Sequence, residues 1–145
     1  GVLPGESNIT ATAAAATLAI EFGTLSRLTG LPQFEEAARV SLQAIWARRS
    51  SLNLVGGHID IMTGDWTQVD AGIGTSIDSF YEYLLKSYIL LGDREYIEIF
   101  NEAYPAAEEH LRRHPWYVEV NMFTGTVVWP IFNSLQAFWP GLQVM

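Results

Sequence analysis

The sequence predicts a mainly α fold: a partial α/α barrel, or alpha/alpha toroid, with β-hairpins between helix pairs. Three observations point there. A unit of helix, glycine turn, helix and hairpin occurs twice. Leu28-Thr-Gly30 followed by Phe34-Glu-Glu matches Leu90-Leu-Gly92 followed by Tyr96-Ile-Glu, and Ile61-Met-Thr-Gly64 matches Met122-Phe-Thr-Gly125. In each pair the first helix is the more apolar all round and the second has a clear polar face, the asymmetry of inner and outer helices. Hydrophobic residues make up 49% of the 145, enough to sustain a buried core.

The first helix is expected from about Thr12 to Leu28, an alanine run followed by Leu18, Phe22, Leu25 and Leu28 at helical spacing. Thr10 or Thr12 would cap it and Gly30 would stop it. The second runs from about Gln33 to Arg49. Its apolar stripe includes Phe34, Ala38, Leu42, Ile45 and Trp46, its other face carries Glu35, Glu36, Arg39, Gln43 and Arg48, and Pro32 is an early-turn residue. Leu54 to Met62 reads as a strand, with His58 and Asp60 alternating against Ile59 and Ile61. A turn at Thr63-Gly64-Asp65 returns it through Trp66 to Val69. The segment Gly74 to Lys86 opens a third helix that ends near Leu91-Gly92. Asp93 caps a fourth, about Arg94 to Arg113, closed by Pro115. Tyr117 to Phe123, the Thr124-Gly125 turn and Val127 to Trp129 form a second hairpin. A last helical piece spans about Ile131 to Phe138, before Trp139-Pro-Gly. With about two repeats and the start of a third, residues 1–145 are expected to be a piece of one barrel domain. Two helix pairs cannot close a barrel, so apolar surface should stay exposed unless the chain oligomerises.

Charge and composition exclude several functions. Sixteen acids against eight bases give a net charge of −8, the wrong sign for a phosphate-backbone or anionic-membrane binder. No apolar run approaches the roughly 20 residues of a bilayer span. The first residues lack a starting Met, a basic segment and an apolar segment, so they are not a signal peptide, and the chain is expected to be processed or part of a longer one. The absence of cysteine removes disulfide and thiolate chemistry. Asn8-Ile9-Thr10 fits the N-glycosylation pattern, which slightly favours a secretory location.

Chemistry concentrates at Asp78 and Glu82, four residues apart and so on one helical face, among Phe80, Tyr81 and Tyr83. Acids beside aromatics suit a sugar pocket, and they equally suit the first turn of a helix. Glu82 either lines that pocket or pairs with Lys86. Glu21, within an apolar stretch, is either a pocket residue or half of a structural ion pair. His110 and His114 have i, i+4 spacing but no HExxH pattern, and read as a solvated helix end; His58 and Asp60 read as ladder residues. Trp66, Trp129, Tyr81 and Tyr83 read as core before they read as sugar-stacking rings. No phosphate loop or nucleophile elbow is present.

The runs LAIEFGTLSRLTGLPQFEEAAR (Leu18 to Arg39), HIDIMTGDW (His58 to Trp66), DSFYEYLLKSYILLGD (Asp78 to Asp93) and SLQAFWPGLQVM (Ser134 to Met145) together resemble glycoside hydrolase family 47, the class I α-1,2-mannosidases. The resemblance is to the ER degradation-enhancing α-mannosidase-like branch, and it covers nearly the whole chain in order. It implies an (α/α)7 barrel plugged by a β-hairpin, and inverting, calcium-assisted hydrolysis of α-1,2-linked mannose on high-mannose N-glycans in the endoplasmic reticulum lumen. It also implies misfolded glycoproteins as partners. Asp78 matches the motif's active-site aspartate and inherits a catalytic role. Glu82, Glu21 and Asn133 are assigned to substrate binding. The family's calcium-binding threonine and its other catalytic glutamates lie in segments not matched here, so no metal ligand is expected in this chain and the piece alone should not hydrolyse glycans. Ser76 stands where the mannosidases proper carry arginine, Ala14 where they carry glutamate, and Asn133 where the family usually has aspartate. These departures keep open a non-catalytic, lectin-like alternative.

Overall fold

In the computed structural model the described residues are 5–145. Strand β1 (Ile9–Ala11) runs into a single helical turn, α1 (Thr12–Ala15). Helices α2 (Ala19–Thr29) and α3 (Gln33–Trp46) form the first pair. The hairpin β2 (His58–Asp60) and β3 (Trp66–Gln68) follows, then β4 (Asp70–Ala71). Helices α4 (Asp78–Leu91) and α5 (Arg94–His110) form the second pair. A ribbon of β5 (Arg112–Arg113) and β6 (Trp116–Tyr117) leads to the hairpin β7 (Glu119–Asn121) and β8 (Val127–Trp129). The chain closes with a 3-10 turn (Ser134–Gln136) and α6 (Trp139–Gln143).

The repeat extends to single hydrogen bonds. Sheets β1-β2-β3 and β4-β7-β8 are both antiparallel, and each hairpin slips register at its first strand, at His58/Ile59 and at Glu119/Val120. In the first hairpin Asp60 Oδ1 accepts from the amides of Met62 and Thr63. In the second, Asn121 Oδ1 accepts from Phe123 and Thr124. The two residue types exchange because the turn needs only a side-chain carbonyl acceptor. Gly64 (φ 79°) and Gly125 (φ 69°) close these turns in the left-handed region, where a side chain would be strained. Each helix pair turns at a left-handed glycine, Gly30 and Gly92, as expected.

Several boundaries differ from expectation. The first helix is broken between α1 and α2, where the hydroxyls of Thr17 and Ser41 take the carbonyls of Ala13 and Ala15. Thr12 N donates to Gly57 O and Ala13 N to Ser76 O, while the Thr17 hydroxyl folds back onto Ala13 O. Thr12 is therefore no side-chain cap: its hydroxyl donates to Gly56 O at 2.6 Å, and Ala11 holds the cap position. Helix α3 stops at Trp46. Arg48 turns to Gly64 O, and Arg49 lies 4.4 Å over the Trp46 ring. Helix α5 stops at His110 because Arg112 and Arg113 pair with Tyr117 and Trp116. Only His58–Asp60 of the long apolar run joins a ladder; Leu54 and Val55 go into the core. Trp139-Pro-Gly opens α6 rather than following a helix, since Pro140 occupies the first turn, where no amide donor is needed. Strands β1 and β4 and the β5–β6 ribbon lack the alternation that reveals longer strands.

Helix α2 packs against both α3 and α4, so α2 and α4 are the inner helices. The approach of α2 to α4 is close: a Cβ at Gly23 would sit 2.9 Å from Leu91 Cδ1. Arg27 donates to Leu91 O, satisfying a carbonyl at the C-terminal end of α4. The inner helices leave Leu28, Ile89 and Leu90 exposed, as two unclosed pairs should. Outer α3 is tied to the start of α5 by Arg39, which reaches Asp93 at 2.6 Å and Glu95 at 3.3 Å. Burial lowers the Arg39 pKa, but the pairing with Asp93 and Glu95 outweighs it and holds the guanidinium above its ordinary value. Because these groups are partly solvated, Arg39→Met is expected to cost only about 1 kcal/mol. A double-mutant cycle with Asp93→Asn should show coupling, and strict additivity would remove the network from the account of the α3–α5 contact.

Candidate functional site

The α4 N-terminus is built by the loop before it. Gly74 O accepts from the amides of Ile77 and Asp78, at 3.0 and 2.7 Å, and turns the chain into the helix. Ser76 takes φ 72°, a left-handed conformation that costs a serine on the order of 1 kcal/mol. Asp78 is then the first residue of α4. Its Oδ1 accepts from Ser79 N at 2.7 Å and from Ser79 Oγ at 3.3 Å. It is half-buried, and as a first-turn acid it complements the helix dipole.

Asp78, Ser79 and Glu82 form one wall of an open groove; Ser134, Leu135 and Phe138 of the C-terminal segment form the other. Glu82, one turn along from Asp78, accepts from Lys86 Nζ at 2.6 Å. Asn133 sits at the head of the groove wall, against Gly74, where a Cβ would come within 3.3 Å of its Oδ1. That oxygen caps the 3-10 turn by accepting from Leu135 N, while Gln136 Oε1 accepts from Asn133 N. Glu21 is exposed on α2, not buried as its apolar neighbours implied, and no basic partner is needed there. Its Oε1 accepts from the Tyr83 hydroxyl at 2.7 Å, across the α2–α4 contact. That bond, then burial and the charge of Glu82, pushes the Tyr83 hydroxyl up to about 12.

The other residues that the sequence raised fall into ordinary roles. His58 Nδ1 meets Gln68, and Asp60 holds its hairpin turn. His114 is exposed, with Arg112 3.5 Å from its Nδ1. Trp66 donates its indole N–H to Arg48 O. Tyr81 is buried in the core, where loss of solvent drives its hydroxyl pKa up. Trp129 lies half exposed on β8. Asn8 is exposed, beside β1. Among the described residues no three His, Asp or Glu side chains gather as a metal site, and no helix is long and apolar enough to cross a membrane.

Sequence reasoning missed Ser79, Ser134, Leu135 and Phe138 as groove residues. The tail motif is visible in the sequence, but its approach to Asp78 is a tertiary fact. It also missed Glu119, which burial first and Asp70 second raise above the ordinary carboxyl range. A carboxyl raised in the folded state binds its proton more tightly there than in the unfolded chain. Its contribution to stability therefore falls as pH rises from the ordinary value through the folded one. Glu119→Gln is expected to raise the urea midpoint at neutral pH and to flatten its decline above about pH 4. An unchanged pH profile would refute this.

Comparison with known proteins adds three findings. A family model described as glycosyl hydrolase family 47 matches residues 3–145. The chain is 64% identical over 145 residues to "Alpha-mannosidase I MNS4" of Arabidopsis thaliana, covering all of this chain and 23% of that protein. It is 50% identical over 143 residues to human "ER degradation-enhancing alpha-mannosidase-like protein 2", covering 99% of this chain and 25% of the relative. The chain thus spans about a quarter of the length of these relatives. Its fold matches a solved alpha-1,2-mannosidase from Trichoderma reesei with a TM-score of 0.76, at 24% identity, over 95% of this chain and 30% of that one. The architecture is accordingly part of an α/α barrel.

Proposed function

The chain belongs to glycosyl hydrolase family 47, and on that premise we propose that it forms one wall of an α-1,2-mannosidase-like site acting on high-mannose N-glycans. The name of the human relative favours an endoplasmic reticulum setting and a link to degradation, and the family resemblance adds misfolded glycoproteins as the glycan carriers. The observation that carries the reading is the position of Asp78, the first residue of an inner helix, in an open groove with Glu82 and Ser134.

Inverting hydrolysis needs two carboxyls roughly 6.5–9.5 Å apart with a water between them. Asp78 supplies one, as the acid/base or water-positioning group. Glu82 is poorly placed to be the other: it stands on the same helical face and is tied to Lys86. It suits a hydroxyl-binding role, as does Glu21 through Tyr83. The opposite carboxyl belongs to a wall outside the described residues, so residues 1–145 are one part of a single barrel domain and are expected to be inactive alone. Calcium takes about six to eight oxygen ligands. The described residues gather no such set, so they do not fit the ion and no step here passes through it.

A lectin-like reading has its own support. Ser76 replaces the arginine of the mannosidases proper, and Asn133, in place of an aspartate, spends its oxygen on a turn. The intact protein separates the two readings when calorimetry with a high-mannose glycan is run beside a product assay. Released mannose supports the enzyme, binding without release supports the lectin, and neither would defeat both.

A further inference from the structure

The two walls of the Asp78 groove meet at one buried glycine. The carbonyl of Gly74 accepts from the amides of Ile77 and Asp78, so the turn it starts sets where α4 and its first side chain begin. That turn is tied a second time, where Ser76 O accepts from Ala13 N of α1 at 2.8 Å. Against Gly74 lies the Asn133–Gln136 capping box, the start of the segment that carries Ser134, Leu135 and Phe138. A Cβ on Gly74 would meet Gln136 Cγ at 2.8 Å and Asn133 Oδ1 at 3.3 Å. Gly74 is not one of the left-handed glycines, so space rather than backbone conformation excludes a side chain there. Gln136 is not free to swing aside. It is 1% exposed, its Cγ sits near the root of the side chain, and its Oε1 is engaged by Asn133 N.

We infer that Gln136, through its contact with Gly74, is a positioning residue: it fixes the distance between the Asp78 wall and the Ser134 to Phe138 wall, and so the place of the Asp78 carboxyl in the groove. Carbon atoms pack at about 3.5–4.0 Å, so a methyl group on Gly74 would drive the two walls apart by about 1 Å. A misplacement of about that size is enough to cost on the order of 10²-fold in rate. The inference rests on the Asp78 reading above and deepens it. Asp78, Ser79, Glu82, Ser134, Leu135 and Phe138 line the groove, and Gly74 and Gln136 lie behind them. An effect of either on turnover therefore passes through the residues that face the sugar.

The test is a double-mutant cycle in the intact protein, read as kcat and KM for mannose release from a free high-mannose oligosaccharide, with the urea midpoint measured alongside. Gly74→Ala is expected to lower kcat about 10²-fold while KM changes less than about threefold. Gln136→Ala removes Cγ and the acceptor for Asn133 N, and should lower kcat about tenfold. The double variant should match Gln136→Ala, about tenfold above Gly74→Ala, because the new methyl group fills the space that Gln136 leaves. Additive losses in the double variant, or a lowered urea midpoint with kcat at the wild-type value, would overturn the inference. Should Gly74→Ala not fold, Gln136→Ala decides: a fall in kcat supports the positioning role and a wild-type kcat overturns it. Should the wild type bind the oligosaccharide without releasing mannose, the same cycle is read as Kd by calorimetry, where coupling supports the inference and additivity overturns it. Release at the wild-type rate by Asp78→Asn would sink the Asp78 reading itself. An inactive Asp78→Asn beside unaffected Gly74 and Gln136 variants would sink the positioning role alone.

Discussion

Replacing Asp78 with Asn in the intact protein is expected to lower mannose release by about 10²–10⁴-fold, the usual worth of a positioned acid/base group. The substitution isolates chemistry from structure. Asn keeps the Oδ1 acceptor, so the bonds from Ser79 N and Ser79 Oγ survive. What is lost is the ability to hold a charge or exchange a proton at the mouth of the groove, together with a first-turn charge worth about 0.3–1 kcal/mol at the helix N-terminus. The urea midpoint should therefore move little while the product assay collapses. Release at the wild-type rate would remove Asp78 from the mechanism, and a large loss of stability would make it a structural acid.

The largest effect on folding is expected at Trp139. It is 1% exposed and lies at the centre of an aromatic cluster. Tyr104 stacks on it at 5.5 Å, while Tyr81, Tyr117 and Phe138 meet it edge-on at 5.1, 5.5 and 5.9 Å. Those neighbours come from α4, α5, β6 and the residue before α6, so one indole joins the C-terminal segment to the second helix pair. Trp139→Ala is expected to cost about 3–5 kcal/mol, the transfer of the ring plus the cavity it leaves. Trp139→Phe should recover part of that, because the stacked partners keep a ring to pack on. The same change should loosen the groove, since Ser134, Leu135 and Phe138 are carried on the segment that Trp139 anchors. A loss below about 1 kcal/mol in chemical denaturation would show that the cluster does not hold the segment.

The helix pairs were legible because their signals are local. The glycines at 30 and 92, the capping aspartate at 93 and the apolar spacing of α4 act within a few residues of chain; α4 ends at Leu91 as read and begins at Asp78, within the Gly74 to Lys86 segment expected to open it. The hairpin repeat was legible for the same reason: a Thr-Gly turn carries its own geometry. The break between α1 and α2 was not, because an alanine run favours helix and the hydroxyls of Thr17 and Ser41 interrupt it by taking the carbonyls of Ala13 and Ala15. Trp139-Pro-Gly was misread for a related reason. A proline ends a helix or begins one, and the choice depends on whether its neighbours supply a cap, which Asn133 and Gln136 do for the turn before it.

The sequence by itself determined the repeat, the inner and outer helices, the place of Asp78 at a helix start and the resemblance to a glycosidase family. Each follows from residue order over short spans, where propensity, capping and periodicity operate. Only the tertiary structure decided what faces Asp78. It folded the Ser134 to Phe138 segment against α4 and left Glu21 exposed but joined to Tyr83. The physical reason is distance along the chain. Leu135 lies more than fifty residues beyond Asp78, and their meeting rests on the packing of a buried aromatic cluster that no local pattern encodes.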